Sequence, residues 1–201
     1  HILDSQIMSY HIYTTDGIIL KRATFGEANI LLYILTSELG LIIASARSAR
    51  LSVSKLRGAL QEYSFVSVSC VKGKNGWKIT NVAEKGSFYF DYPEYSHKVI
   101  SQVAAVLLKM IPGEAPHKEV FRTVRSGFEF LKSVKEEDIG NFETLLVLRI
   151  LAELGYVVND SDTQIFFTDK ESWNTDLLGR IGENKRRVVE LINKALKESQ
   201  L

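Results

Sequence analysis

The side chains with most to offer chemically are cations. Lys21, Arg22, Arg47, Arg50, Lys55, Arg57, Lys72, Lys74 and Lys78 fall at the ends of short apolar runs and in two loops of the first 85 residues. Tyr33, Tyr63, Phe65 and Trp77 are interleaved with them. Cations that track phosphates and flat rings on which bases stack are the two parts of a single-strand-binding surface, with stacking worth about 1–3 kcal/mol per base. Trp77 is the foremost candidate platform, because it directly follows the basic stretch Lys72-Gly-Lys-Asn-Gly. The blander reading is that the cations solvate loops and guard sheet edges, while the aromatics pack inside. The charge distribution bears on the choice. The chain carries a net +1, yet residues 1–85 hold ten Lys and Arg against six Asp and Glu, and the remainder fifteen against eighteen. The basic excess therefore coincides with the candidate surface.

Other chemistries find less support. There is no Gly-rich loop ending in Lys-Ser/Thr, no Gly-x-Ser-x-Gly elbow and no His-Glu-x-x-His, so the chain reads as a non-enzyme without a cofactor. Glu136-Glu137-Asp138 is most simply a solvated helix start, where negative charge is favoured. His11, His97 and His117 are scattered, and the sole cysteine, Cys70, has no partner for a disulfide or a thiolate zinc cluster; no metal site is expected. Cys70 reads as a small buried hydrophobe. A single cysteine also suits a reducing cytoplasm, and the apolar runs at 30–35 and 145–148 are far short of the ~20 residues of a bilayer span. Residues 1–7 are set aside as a cloning remnant.

The elements that must position the cations are short strands. Runs rich in Ile, Leu and Tyr, broken by Gly26, Asn29 and Gly40, suit successive antiparallel strands over residues 10–22 (bent near Asp16-Gly17), 30–36 and 41–46. Both faces of 30–36 are apolar, which predicts cover on both sides. Val66, Val68 and Cys70 alternate with Ser67 and Ser69 in a fourth strand, 63–71, and Asn75-Gly76 reads as a type I′ turn into a fifth, 77–82. Five short strands hide their edges by closing into a barrel, here of OB-fold size.

After Lys85 the period changes from two to about 3.6, which marks a boundary between a barrel at 8–85 and a helical half at 86–201, an α+β chain of all-β and all-α parts. Val99, Val103, Val106, Leu107 and Met110 make one helical stripe, and Val120, Phe121, Val124, Phe128 and Leu131 a second. Residues 142–154 are apolar on every side, as in the central helix of a bundle, with Gly155 as its cap. Residues 156–176 read as irregular, and a last amphipathic helix spans 183–198. Arg149 sits inside the central helix; a charge there needs a partner, and Glu153 or Glu143 is the nearest choice.

Two stretches then resemble a known family. Thr15-Asp-Gly-Ile-Ile-Leu-Lys-Arg, Phe25-Gly-Glu-Ala-Asn, the turn at 36–40 and Leu60-Gln-Glu-Tyr-Ser-Phe are similar to the N-terminal domain of RecO, the bacterial recombination mediator. Leu148-Arg-Ile-Leu-Ala-Glu-Leu-Gly-Tyr resembles that family's central helix and its end. The resemblance implies an N-terminal OB-fold and a C-terminal helical domain in a bacterial cytoplasmic, nucleoid-associated protein. It also implies binding to single- and double-stranded DNA, strand annealing, and action with RecR to load RecA onto DNA coated by single-strand-binding protein. The acidic tail of that protein would dock on the helical half, for which Arg122, Arg125 and Arg149 are the candidates. Many relatives carry a four-cysteine zinc element after the Leu-Gly-Tyr, whereas residues 157–180 here hold neither Cys nor His. The alternative reading, from another class, is an OB-fold adaptor for protein or RNA partners.

Overall fold

The computed structural model describes residues 11–25, 29–47, 59–158 and 160–199. Residues 1–7, the expected strand start at Tyr10, and Arg50, Lys55 and Arg57 lie outside the described residues. Five strands come first: β1 (Ile12–Phe25), β2 (Asn29–Thr36), β3 (Gly40–Arg47), β4 (Ser64–Gly73) and β5 (Gly76–Ser87). Five α-helices follow: α1 (Glu94–Met110), α2 (Lys118–Leu131), α3 (Ile139–Glu153), α4 (Thr175–Glu183) and α5 (Lys185–Glu198).

The strands close into a barrel in the order β1-β2-β3-β5-β4. The long first strand makes this possible, its first half pairing with β4 and its second with β2, while a short parallel contact of Ala44 with Trp77 and Ser45 with Lys78 seals β3 to β5. This is an OB-fold barrel. The irregularity in β1 falls between Ile19 and Lys21 rather than at Asp16-Gly17, although Gly17 has its own reason to be there: a Cβ would lie 2.6 Å from Ile34 Cγ2. The β4–β5 hairpin also differs from expectation. Gly73 pairs with Gly76, so Lys74-Asn75 is the tip, and only Gly76 is left-handed (φ 94°); the asparagine is not at positive φ, as a type I′ turn centred on Asn75-Gly76 would need.

Alternation sorts the strand residues into two environments. Ile19, Leu32, Ile34, Ile42, Ala44, Val66, Val68 and Cys70 fill the barrel interior. Ile18, Leu20, Leu35, Leu41 and Phe65 point outward into a second, continuous core shared with the helices. The two-faced apolar pattern of β2 is thus explained at its Leu35 end, whereas Leu31 and Tyr33 remain partly exposed. Phe88 belongs to this shared core, 6.1 Å from the Phe65 ring and 5.3 Å from that of Phe128. At the next corner Gly40, with φ 75°, abuts the backbone of Glu114 and Ala115, and Leu41 N–H donates to Gly113 O at 3.0 Å.

The central helix is α3, with Phe142 and residues 145–151 buried, and it ends at a left-handed Gly155 (φ 81°). One helix is unexpected. Residues 175–183 form α4, which Asn174 begins by accepting Leu177 N–H at 2.9 Å and which Leu177, Leu178 and Ile181 anchor. Asn174 is an N-cap residue type, but a nine-residue helix offers too few turns for its period to stand out.

Candidate nucleic-acid interface

An outer stretch of the barrel away from the core shared with the helices runs across β1, β2 and β3. Lys21, Tyr33 and Ile43 are direct cross-strand neighbours on β1, β2 and β3, and they share the outward side because Ile19, Ile34, Ile42 and Ala44 around them face in. Lys21 Nζ lies 5.5 Å from the centre of the Tyr33 ring, and Ile43 is 49% exposed. Two positions further along β3, and so on the same side, comes Ser45, and then Arg47, which is exposed opposite Asn29. Lys78, also exposed, is the neighbour of Ser45 on β5. Lys21, Arg47 and Lys78 therefore frame one strand face with a half-open tyrosine and an open isoleucine between them. Such a surface offers charge for phosphates and a flat apolar floor for bases. Ile43 escaped the sequence reading, yet its parity with Arg47 is visible there.

The remaining candidates disperse. Lys74 is exposed at the hairpin tip. Lys72 is turned to the helical half, with Nζ 2.5 Å from Glu114 Oε2 and 5.4 Å from the Trp77 ring. Arg22 follows Lys21 in the chain but faces away from it: its side-chain Nη1 reaches Gln61 Oε1 at 3.4 Å, and its backbone N–H donates to Glu62 Oε1 at 2.9 Å. Trp77 requires correction. Its ring is only 5% exposed and packs in the barrel core, with the edge of Tyr13 5.4 Å away, so no base can stack on it as it stands. Phe65 is likewise buried, between Lys85 and Arg125 at 4.9 and 4.7 Å from its ring.

Of the three candidate arginines in the helical half, Arg122 is exposed and Arg125 half-buried. Arg122 pairs with Glu119 at 2.9 Å and Arg125 with Glu129 at 3.0 Å, surface pairs that contribute about 0–1 kcal/mol each. The third overturns expectation. Arg149 is wholly buried and pairs with neither Glu153 nor Glu143: Nε donates to Phe166 O (2.8 Å), Nη1 to Lys170 O (3.1 Å) and Ser172 O (2.9 Å), and Nη2 to Asp169 O (3.1 Å). The guanidinium also lies 4.4 Å from the Trp173 ring. Burial pushes its pKa down to about 10, with the Asp169 charge pulling the other way. Glu153 instead pairs with Lys170 at 2.9 Å.

Arg149 thus holds the 166–173 segment together through its carbonyls and is shut away from any partner's tail. No group of three His, Cys, Asp or Glu side chains converges as a metal site among the described residues, and a segment without Cys or His does not fit a thiolate zinc element.

Residues 8–86 match the family model described as Recombination protein O N terminal. The chain is similar to the DNA repair protein RecO of Heliobacterium modesticaldum, 29% identical over 148 residues, covering 72% of this chain and 52% of that one. It is also similar to the DNA repair protein RecO of Dehalococcoides mccartyi strain BAV1, 30% identical over 149 residues, covering 73% and 57%. The chain spans about half the length of the curated relatives it matches first.

Proposed function

From the match of residues 8–86 to the RecO N-terminal family model, from the similarity of the chain to RecO proteins, and from the cation-framed strand face on its barrel, we propose that it is a member of the RecO family and a non-catalytic DNA-binding mediator of recombinational repair. The observation that carries the reading is the grouping of Lys21, Arg47 and Lys78 around Tyr33 and Ile43 on a barrel flank away from the core shared with the helices. Phosphates of a single strand run past the cations, and bases rest on the tyrosine and isoleucine. Arg50, Lys55 and Arg57, which follow Arg47 in the chain, are assigned to the same contact set, with Lys72 and Lys74 at its margin. A duplex is held by charge alone, since its base faces are already stacked. Annealing follows if two strands share the surface: the cations lower their mutual repulsion while the base edges stay open.

In this proposal the helical half receives protein partners, RecR and the acidic tail of single-strand-binding protein, with the exposed Arg122 and the half-buried Arg125 as tail contacts, and RecA is loaded as a result. The setting is the bacterial cytoplasm and its nucleoid; no described helix is long and apolar enough to cross a membrane.

The test is fluorescence anisotropy with labelled single-stranded, duplex and RNA oligonucleotides across a salt series. Each phosphate neutralised on a single strand contributes about −0.7 to the slope of log affinity against log salt. The triple variant Lys21→Glu, Arg47→Glu, Lys78→Glu is expected to flatten the slope by about 2 and to weaken both DNA forms. An unchanged slope would remove this face from the proposal. A preference for RNA, or no nucleic-acid binding, would favour the adaptor.

A further inference from the structure

A second surface lies where barrel and helices meet. A cleft of about 690 Å³ opens between the end of β1, the turn at 61–63, the corner at 87–91 and the first turns of α1; Arg22, Glu62, Tyr63, Tyr89, Phe90 and Lys98 line it. Its aromatic content is organised. Tyr63 and Tyr89 stack at 5.9 Å with 25° between ring planes, and Tyr89 and His97 at 3.8 Å with 15°. Phe90 stands at 85° to Tyr89, with ring centres 5.9 Å apart, and makes a corner with the pile. At 69% exposed it is the most open aromatic ring among the large hydrophobics of the described residues.

Two further features are unusual for a surface crevice. Tyr63 has φ 67°, the one non-glycine with positive φ among the described residues, and is held there by its N–H on Ile19 O (2.7 Å) and by Phe88 N–H on its own carbonyl (2.9 Å). A bulky residue in the left-handed region is strained and persists only where the surroundings over-determine it, a condition that clusters at ligand sites. Arg22, meanwhile, has donors in reserve. Its Nε is buried with no partner, and Nη1 makes only the long 3.4 Å contact with Gln61; buried donors without acceptors are rare. The exposed Lys98 supplies a second cation on the α1 side.

The exposed Phe90 ring, set against the edge of an aromatic pile and beside an arginine short of acceptors and a lysine, matches the two halves of a nucleotide. A duplex cannot use the rings, because its base faces are already covered. We propose that this cleft binds an unpaired nucleotide of a single strand, with the base on Phe90 at the rim of the Tyr89 pile and the phosphate on Arg22 and Lys98. The assignment rests on the DNA-binding reading and adds to it a site that distinguishes single strands from duplex. The strand face meets both DNA forms through its cations, whereas the cleft takes only an unpaired nucleotide.

The test combines photocrosslinking and affinity on the full chain. A single-stranded oligonucleotide carrying 5-iodouracil is irradiated with the protein and the adduct mapped by mass spectrometry. An adduct at Tyr89 or Phe90, absent when the same strand is in a duplex, is expected. Phe90→Ala, at an exposed position that the fold does not need, should weaken single-strand binding on the order of tenfold and leave duplex affinity and the salt slope unchanged. Lys98→Gln should flatten the single-strand slope by about 0.7. If the unaltered protein binds no DNA, the DNA-binding reading falls, and the cleft assignment with it. If it binds DNA while Phe90→Ala matches it and no adduct forms at 89–90, the cleft assignment alone is overturned.

Discussion

Replacing Arg149 with methionine keeps most of the side chain's length and removes every donor. Four carbonyls lose a charged partner, of which that of Phe166 is the buried one. Leaving a buried carbonyl unsatisfied costs about 1–3 kcal/mol, and the lost contact of the guanidinium with Trp173 adds about 1–2 kcal/mol for a desolvated cation over an aromatic face. The carbonyls of Asp169, Lys170 and Ser172 are nearer water and recover most of their bonding. Relief from holding a charge in the interior offsets part of the loss. The expected net effect is about 3 kcal/mol, a large share of the 5–15 kcal/mol that holds a typical domain. With a urea slope of about 2 kcal/mol per M, the unfolding midpoint should fall by about 1.5 M by circular dichroism. Amide exchange should accelerate most over residues 163–173, the segment whose carbonyls the guanidinium gathers. Arg149→Lys should recover less than half, because one ammonium cannot reach acceptors spread over four residues. A methionine variant within about 0.5 kcal/mol of the parent, the scatter of ordinary surface substitutions, would refute the view that this arginine organises the segment.

Two other substitutions read the barrel. Gly40→Ala forces a left-handed alanine and drives its Cβ into the backbone of Glu114 and Ala115; a cost of about 3 kcal/mol should lower Tm by about 9 °C at this chain length. Gly76→Ala, at φ 94° with nothing within 4 Å, carries the backbone strain alone and should lose about 3 °C; equal losses at the two sites would mean that the docking of the β2–β3 turn on the 113–115 loop contributes nothing. Cys70 is fully buried and burial pushes its thiol up to about 11, so at pH 8 the native protein should resist alkylation and react fully in denaturant. A native rate within tenfold of a free thiol would mean that the barrel opens readily.

Much of the barrel was legible in the sequence because strand alternation is a local property. Val66, Val68 and Cys70 against Ser67 and Ser69, and Ile42, Ala44 and Ala46 against Ile43, Ser45 and Arg47, state the inner and outer sides without reference to anything distant. The same holds for α3, apolar all round and hence central, and for Gly155 at its end. The cations of the strand face could be named for the same reason. Their grouping could not, because Lys21 and Arg22 are sequence neighbours that the irregularity after Ile19 and the strand's own alternation send to opposite sides. Nor could the flank that the helices cover: Leu35 and Tyr33 share a parity on β2, and only the docking of the bundle buries the first and leaves the second open.

Trp77 and Arg149 mark the same divide from the other direction. An indole beside a basic hairpin and a guanidinium inside an apolar helix each suggest an exposed role or a nearby carboxylate when only chain neighbours are in view. The barrel closure that pairs Trp77 with Ala44 turns the indole inward. Arg149 finds its acceptors 17 to 23 residues away, in main-chain carbonyls that every residue carries. The sequence by itself determined which elements form and which way their side chains alternate, since both follow from local sterics and spacing. Which faces stay open, and what a buried charge bonds to, the tertiary structure decided, because those contacts join segments whose residue types hold no record of each other.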